Sequence, residues 1–395
     1  MKNMLFLTHQ LPNPSISGGS IKTYKLIEYL SKKYDLSLAG FDKDNKFNRS
    51  SFLSKINLSN IYIEPLNIPR TPINLLKSYI SGVPLTVYRN YSKRFHYHIK
   101  LVASSYCVLF IDSYLMFSYL PENFRGYVIL HEHNNEFLLW DRYAKLEVNI
   151  LKKILIFLEA KRIKEYLKKA FNIVNAVLAA PNDIQSFEEF GNVKAVFYPT
   201  FHLGDESLFE LPDIEFEKTE KALLFIGTLS WEPNMDGLCW FIKKVWISLK
   251  KRQPCLKFYI VGHNPPKRLK RLCKGNKDII ICGYVEKLEY YYANSRIFVA
   301  PIRFGSGMKV KIINAMYRGI PVITTSIGAE GINVKDMIHI SISNGADKMI
   351  NDCERLLNEK AIWERLRDES RMFAKKYYTW DFVFQNLEKS LPNDQ

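Results

Sequence analysis

No stretch of the chain approaches the roughly 20 consecutive apolar residues that span a bilayer, so nothing in it reads as a transmembrane helix and any membrane contact is peripheral. Paired cysteines are missing too. The six that occur, Cys107, Cys239, Cys255, Cys273, Cys282 and Cys353, form no CxxC spacing and sit mostly in apolar runs. They read as reduced, buried small hydrophobes, which excludes a disulfide framework and a cysteine zinc site. Acidic residues are few against basic ones, 40 to 56, so an acidic partner is expected: nucleotide phosphates, an anionic lipid surface or nucleic acid. No RRM, KH or helix-turn-helix signature is present, which sets nucleic acid aside. Short-period repeats and low-complexity tracts are also absent. The opening residues, Met1 to Gln10, hold a short apolar run without a small-residue cleavage site. They read as a first β-strand rather than a signal peptide, and the expected location is cytoplasmic.

What is present is a 47% hydrophobic chain in which short apolar strands alternate with amphipathic helical stretches. That alternation predicts parallel α/β sheets. Strands are expected near Leu5–Thr8, Leu36–Gly40, Ile61–Ile63, Cys107–Ile111, Tyr127–Leu130 and Ile173–Leu178. Helices are expected near Ser20–Lys32, Ile73–Ser81, Tyr143–Lys169 and Asp183–Phe190. An aperiodic segment at about Tyr198–Glu220, with Pro199, Gly204 and Pro212, reads as a linker. The pattern restarts with a strand at Leu223–Ile226. Strands follow near Phe258–Val261, Ile279–Cys282, Ile297–Ala300 and Val322–Thr324, with helices near Asn234–Lys250, Leu288–Asn294 and Lys309–Arg318. The fold class is α/β: two Rossmann-like domains facing across a cleft, with ligands beyond the carboxyl ends of the strands. The boundaries are residues 1–200, 201–378 and a last segment, 379–395.

Four loops could carry chemistry. Ser17-Gly18-Gly19-Ser20 precedes a helix, where glycines admit backbone N–H groups to an anion; an ordinary capped turn is the plain alternative. The full GxGxxG fingerprint is lacking, so this is no standard dinucleotide site. His131-Glu132-His133-Asn134-Asn135-Glu136 crowds polar residues at a strand end. Its spacing is not HExxH, and no metal is expected. His133 is the residue taken to face the cleft, with a satisfied polar loop as the alternative. Gly227-Thr228, after the restarting strand, could underlie a phosphate or sugar, or else the loop packs under Trp231. The fourth loop, Pro301 to Lys311, holds Gly305, Ser306, Gly307 and three basic residues, Arg303, Lys309 and Lys311. Lysines in a first helical turn oppose the helix dipole, so an anion bound there explains them better.

Gly305 to Ile332 resembles the donor-site segment of GT-B glycosyltransferases of the family-four, group 1 type. Phe225 to Asn234 is similar to the opening of their second domain, and Gly283-Tyr284-Val285 to the turn that reads the nucleotide base. His131–Glu136 resembles the family's histidine loop, and Ser17-Gly18-Gly19 its first glycine loop. The resemblance covers nearly the whole chain in the expected order. It implies a retaining, metal-independent transferase that needs no cofactor and takes a nucleotide-diphosphate sugar as donor. It further implies a final helix, Thr379–Leu391, crossing back onto the first domain and anchored by Trp380 and Phe382. Lys309 and Lys311 would bind the donor phosphates, with Arg303 beside them. His133 would contact the donor sugar or shield its oxocarbenium-like face. Ser306 and Asn314 occupy the places of a glutamate pair. Asn314 would still reach the ribose, with less strength than a carboxylate. Thr228 stands near the place of a phosphate-binding arginine.

The function expected is transfer of a sugar to a glycan or lipid-linked acceptor in cell-surface polysaccharide biosynthesis. Lys145 to Lys169, basic and apolar by turns, could rest on an anionic inner-membrane face, or be a core helix with a solvated basic side. Two other readings stay open: a non-catalytic partner subunit with a degenerate donor site, for which Asn314 and Thr228 speak, and a sugar-nucleotide isomerase.

Overall fold

The computed structural model describes residues 2–12, 18–43, 45 and 47–392. It divides into two compact units: Met1–His202 with Val383–Gln395, and Leu203–Phe382.

The first unit is built on seven strands among the described residues. They are β1 (Asn3–Thr8), β2 (Asp35–Phe41), β3 (Asn60–Glu64), β4 (Val108–Asp112), β5 (Tyr127–His131), β6 (Ala176–Ala179) and β7 (Val196–Pro199). The order is β3-β2-β1-β4-β5-β6-β7, every pair parallel. Alternate residues of β1 fall into different cores: Leu5 and Leu7 on one face, Met4 and Phe6 on the other. Both faces are therefore covered, as a parallel sheet with crossover helices requires. Strand order reverses between β1 and β4, which makes their carboxyl ends the switch point of the sheet.

The second unit holds β8 (Glu220–Ile226), β9 (Lys257–Val261), β10 (Ile279–Gly283), β11 (Ser295–Ala300), β12 (Val322–Thr324) and β13 (Ser341–Ile342). Their order is β10-β9-β8-β11-β12-β13, again parallel throughout. Its switch point lies between β8 and β11. The loops that follow these two strands are the Gly227 and Pro301–Lys309 segments.

Several expectations need correction. The helix expected over Tyr143–Lys169 is two helices, Glu136–Leu146 and Ile150–Phe171. Asn149 caps the second, accepting from the Lys152 N–H at 3.0 Å. β7 was not expected, and its last two residues, Tyr198 and Pro199, overlap the stretch read as linker; Pro199 is tolerated there because β7 is an edge strand. Cys107 and Cys255 are exposed rather than buried. In the last helix, Trp380–Ser390, Phe384 is stacked on Tyr29 of the first unit at 4.1 Å and Leu387 is buried in its core. Trp380 donates from Nε1 to the Gly204 carbonyl within the second unit.

Candidate active site

In the first unit the switch point collects polar residues by register alone. Thr8 ends β1, Asp112 ends β4 and His131 ends β5, and Thr8 and His131 are each paired with Asp112 across the sheet. Asp112 is fully buried. Its Oδ1 accepts from His131 Nδ1 at 2.8 Å and from His133 Nε2 at 2.9 Å; its Oδ2 accepts from Thr23 Oγ1 at 2.8 Å and Thr8 Oγ1 at 3.0 Å. Burial alone would raise the Asp112 pKa. The charge of His133 and the two imidazole hydrogen bonds overcome it and hold the carboxyl well below its usual range. With Nε2 of His133 donating to Asp112, its Nδ1 lies 3.4 Å from His202 Nε2. Lys22, buried on the helix Gly18–Leu30, donates to Thr200 Oγ1 and the Phe201 carbonyl; burial lowers it to about 7, against the pull of Asp112.

An open cavity of about 250 Å³ lies beside this network, lined by His9, Gly19, Ser113, Glu132 and His133 among others. Gly19 stands 3.6 Å from His133 Nδ1, measured from where a Cβ would sit, so the glycine loop and the histidine loop do meet. Gly18 opens the helix; Ser17 lies outside the described residues. Ser113 has φ +92° and ψ 141°, a conformation that L-residues avoid, and its N–H is held by the His131 carbonyl at 2.7 Å. Glu132 is buried, which drives its pKa well above the carboxylate range.

In the second unit Lys311 reaches inward from the helix Val310–Arg318. Its Nζ lies 2.5 Å from Asn234 Oδ1, 4.5 Å from the Phe225 ring centre, and 2.7 Å from where a Cβ on Gly227 would be. Any side chain at Gly227 would displace the ammonium. No carboxylate pairs with Lys311 among the described residues, and burial, with Lys309 nearby, lowers its pKa to about 7. Gly305 at φ +145° and Gly307 at φ +68° make the turn before the helix, where other residues would be strained. Lys309 donates to the Gly307 carbonyl at 2.7 Å and lies 3.9 Å from Glu330. Arg303 is 3.6 Å from Asp236, and Ser306 is buried within the turn. Thr228 is exposed, and its carbonyl accepts from Asn234 Nδ2 at 2.8 Å. Tyr284 follows the edge strand β10 and is 62% exposed.

Asn314 is placed otherwise than expected. Its Oδ1 accepts from the Asp205 N–H at 3.0 Å, and it packs so closely on Gly204 that a Cβ there would lie 1.6 Å away. It ties its helix to the 204–205 backbone through one of the two lone pairs of Oδ1.

Residues 220–359 match the model of the family described as Glycosyl transferases group 1. The second unit is a glycosyl transferases group 1 domain. A Klebsiella pneumoniae protein, called an uncharacterized 44.6 kDa protein in the cps region, is 25% identical over 98% of this chain and 97% of its own. Among solved structures, sucrose-phosphate synthase from Thermosynechococcus elongatus superposes with a TM-score of 0.70 at 15% identity, covering 98% of each chain. Anabaena HepE, in complex with UDP and glucose, gives 0.68 at 11% identity over 99% of each. S. aureus TarM, in complex with UDP among other ligands, gives 0.69 at 10% over 99% of each. These likenesses establish the GT-B fold.

The group 1 domain contains the Lys311 pocket and both of its glycine turns, and the histidine cluster lies outside the matched residues. Within that cluster the sequence pointed to His133 and left out Asp112, Lys22, Thr23 and His202. Asp112 carried a signal, a carboxylate closing the apolar run Val108–Ile111. Lys22 and His202 carried none, since nothing in their neighbours distinguishes them from surface residues.

Proposed function

We propose that the chain is a retaining glycosyltransferase that moves a sugar from a nucleoside diphosphate onto a glycan or lipid-linked acceptor, in the assembly of a cell-surface polysaccharide. The observation that carries this reading is Lys311. An inward ammonium with one neutral oxygen partner, set over a glycine that leaves it room, is a site waiting for an anion. In the reaction the bond from the sugar's anomeric carbon to the diphosphate oxygen breaks, and its electron pair leaves with the diphosphate. Lys311, Lys309 and Arg303 would neutralise that charge without a metal, aided by the N–H groups around Gly305, Ser306 and Gly307. The acceptor oxygen bonds to the anomeric carbon on the face the leaving group vacated. Its proton passes to the departing phosphate oxygen.

Gly227 and Thr228 would border the phosphates, Tyr284 the base, and Gly18 and Gly19 the acceptor-side loop. Both ring nitrogens of His133 are engaged or approached within its own unit. Its contribution is therefore assigned to the ring face, which can shield an oxocarbenium-like centre. The cps-region relative supports the polysaccharide context. UDP in the HepE and TarM complexes makes a uridine nucleotide the first donor to test.

The acceptor is expected at an anionic membrane. No helix of the described residues is long and apolar enough to cross one. The turn between the helices Glu136–Leu146 and Ile150–Phe171, with the first turns of the second, exposes Val148, Ile150, Leu151, Ile154, Leu155 and Phe157. Lys145, Lys152 and Lys153 lie among them. Apolar side chains amid lysines suit insertion into the headgroup layer of an inner membrane face, where the chain would sit as a peripheral, cytoplasmic protein.

Calorimetry of UDP, GDP and ADP, with Lys311→Ala alongside, tests the donor site. One nucleotide should bind, and the variant should not. Failure of all three would favour the partner-subunit reading, for which the engaged Asn314 is the specific observation. Conversion of the donor alone into an isomeric sugar nucleotide would point to an isomerase.

A further inference from the structure

We infer that His131, His133 and His202 form a binding site for a borderline divalent metal ion, zinc first, in the first unit. Each offers one ring nitrogen within 4.8 Å of the others. Three imidazoles on a tetrahedral zinc at about 2 Å place their bonded nitrogens about 3.3 Å apart and their ring centres about 5 Å apart. Here His133 Nδ1 and His202 Nε2 are 3.4 Å apart, and the three ring centres are 4.5, 5.4 and 5.7 Å from one another. A metal would need shifts of well under 1 Å at the His133–His202 pair.

The surroundings are those of a metal site as well. Histidine ligands usually donate their second nitrogen to a carboxylate, which fixes the tautomer and turns the other lone pair to the metal. Asp112 Oδ1 takes that bond from both His131 Nδ1 and His133 Nε2. His131 Nε2 is then a fully buried lone pair with no hydrogen-bond partner among the described residues. Leaving such an acceptor unmatched is costly, and a coordinate bond would satisfy it. The ammonium of Lys22, the nearby cation, is engaged by Thr200 Oγ1 and the Phe201 carbonyl. The cavity at His133 provides an entry path and room for a fourth, exchangeable ligand.

The metal would staple the end of β5 to the chain beyond β7. It shares His133 with the transferase reading, but Lys311 lies in the other unit, so metal binding and nucleotide binding can be measured separately. It is a metal centre that the spacing of the sequence did not suggest, because the third ligand is 69 residues from the second.

The test is titration of untagged, EDTA-treated protein with cobalt(II), read by visible absorption, and then displacement by zinc. One equivalent should produce the intense d–d bands of a four-coordinate site, and zinc at micromolar excess should abolish them and raise the Tm. His202→Gln should remove the bands while circular dichroism stays unchanged. Asp112→Asn should weaken zinc about 10–100-fold. A folded wild-type protein that gives no d–d bands and no rise in Tm with zinc would overturn the proposal, leaving a hydrogen-bond relay from His202 through His133 to Asp112. Thiolate-to-cobalt charge transfer in the near ultraviolet would overturn it too, by placing the metal on cysteine.

Discussion

Thr8 and Asp112 face each other in register at the ends of β1 and β4, and the Thr8 hydroxyl lies 3.0 Å from Asp112 Oδ2 and 2.9 Å from the Gln10 carbonyl. That second acceptor decides how the site tolerates change. In Asp112→Asn the new amide can donate to Thr8 while Thr8 donates to Gln10, and the remaining oxygen still accepts from the two imidazoles. The charge assistance is lost, and the Thr23 hydroxyl must turn from donor to acceptor, about 1–2 kcal/mol together. Asp112→Ala orphans several buried donors together and should cost about 3 kcal/mol or more. Thermal unfolding of both variants checks this. An alanine variant no less stable than the asparagine one would show that the carboxylate does not organise the cluster.

Ser113 offers a prediction of opposite sign. Its backbone lies in a region open essentially to glycine, at φ +92°. Ser113→Gly should therefore stabilise the protein by about 1 kcal/mol, the relieved strain exceeding glycine's added chain entropy. The weak 3.4 Å bond from the Leu115 N–H to Ser113 Oγ is little to lose. A drop in Tm would mean that the cap matters more than the strain.

The Lys311 pocket predicts a pH dependence. The folded pKa is about 7 and the unfolded value 10.5. Between them the unfolded chain binds more protons, so this lysine makes stability rise with pH from about 7 upward, by at most about 1.4 kcal/mol per unit. A diphosphate would favour the ammonium. Binding should therefore take up a proton above pH 7, and affinity should fall toward pH 9. Calorimetry in buffers of different ionisation enthalpy measures the uptake. Lys311→Met should lose nucleotide binding, flatten the stability profile between pH 7 and 9, and raise the Tm near pH 6 by about 2–4 °C. A variant that unfolds at lower temperature at every pH would contradict this account.

The strands of both sheets were legible because a parallel sheet covered on both faces needs unbroken apolar runs, as in Leu109–Ile111 and Leu223–Phe225. β7 and β13 were not, since edge strands of four and two residues carry no period. The break at Glu147–Asn149 was masked by apolar and basic residues that continue on both sides of it. The loop Pro301 to Lys311 could be read because its glycines and lysines are contiguous. The histidine cluster could be read only at His133. Its other members are brought together by strand register and by the return of the chain at residues 200–202, which are distances in space that local spacing does not encode. Asn314 shows the converse, a residue at the expected position whose neighbour, Gly204, came from a segment without pattern.

The exposed hairpin tip separates membrane docking from packing. Ile150 and Leu151 are 73% and 75% exposed, so aspartate at both positions removes little buried area and should leave the Tm within about 1 °C. On a bilayer the same change removes two apolar groups from the headgroup layer and adds charge of the repelled sign. Flotation with vesicles containing anionic lipid should fall at least tenfold, while nucleotide binding in the second unit stays unchanged. Lys152→Glu with Lys153→Glu should weaken flotation only with anionic vesicles, and added salt should reproduce that loss, because a surface charge acts over about 8 Å at physiological ionic strength. If the aspartate pair floats like the parent protein, the tip is not the docking surface. If it lowers a measured oligomeric state instead, the apolar residues meet another copy of the chain rather than lipid.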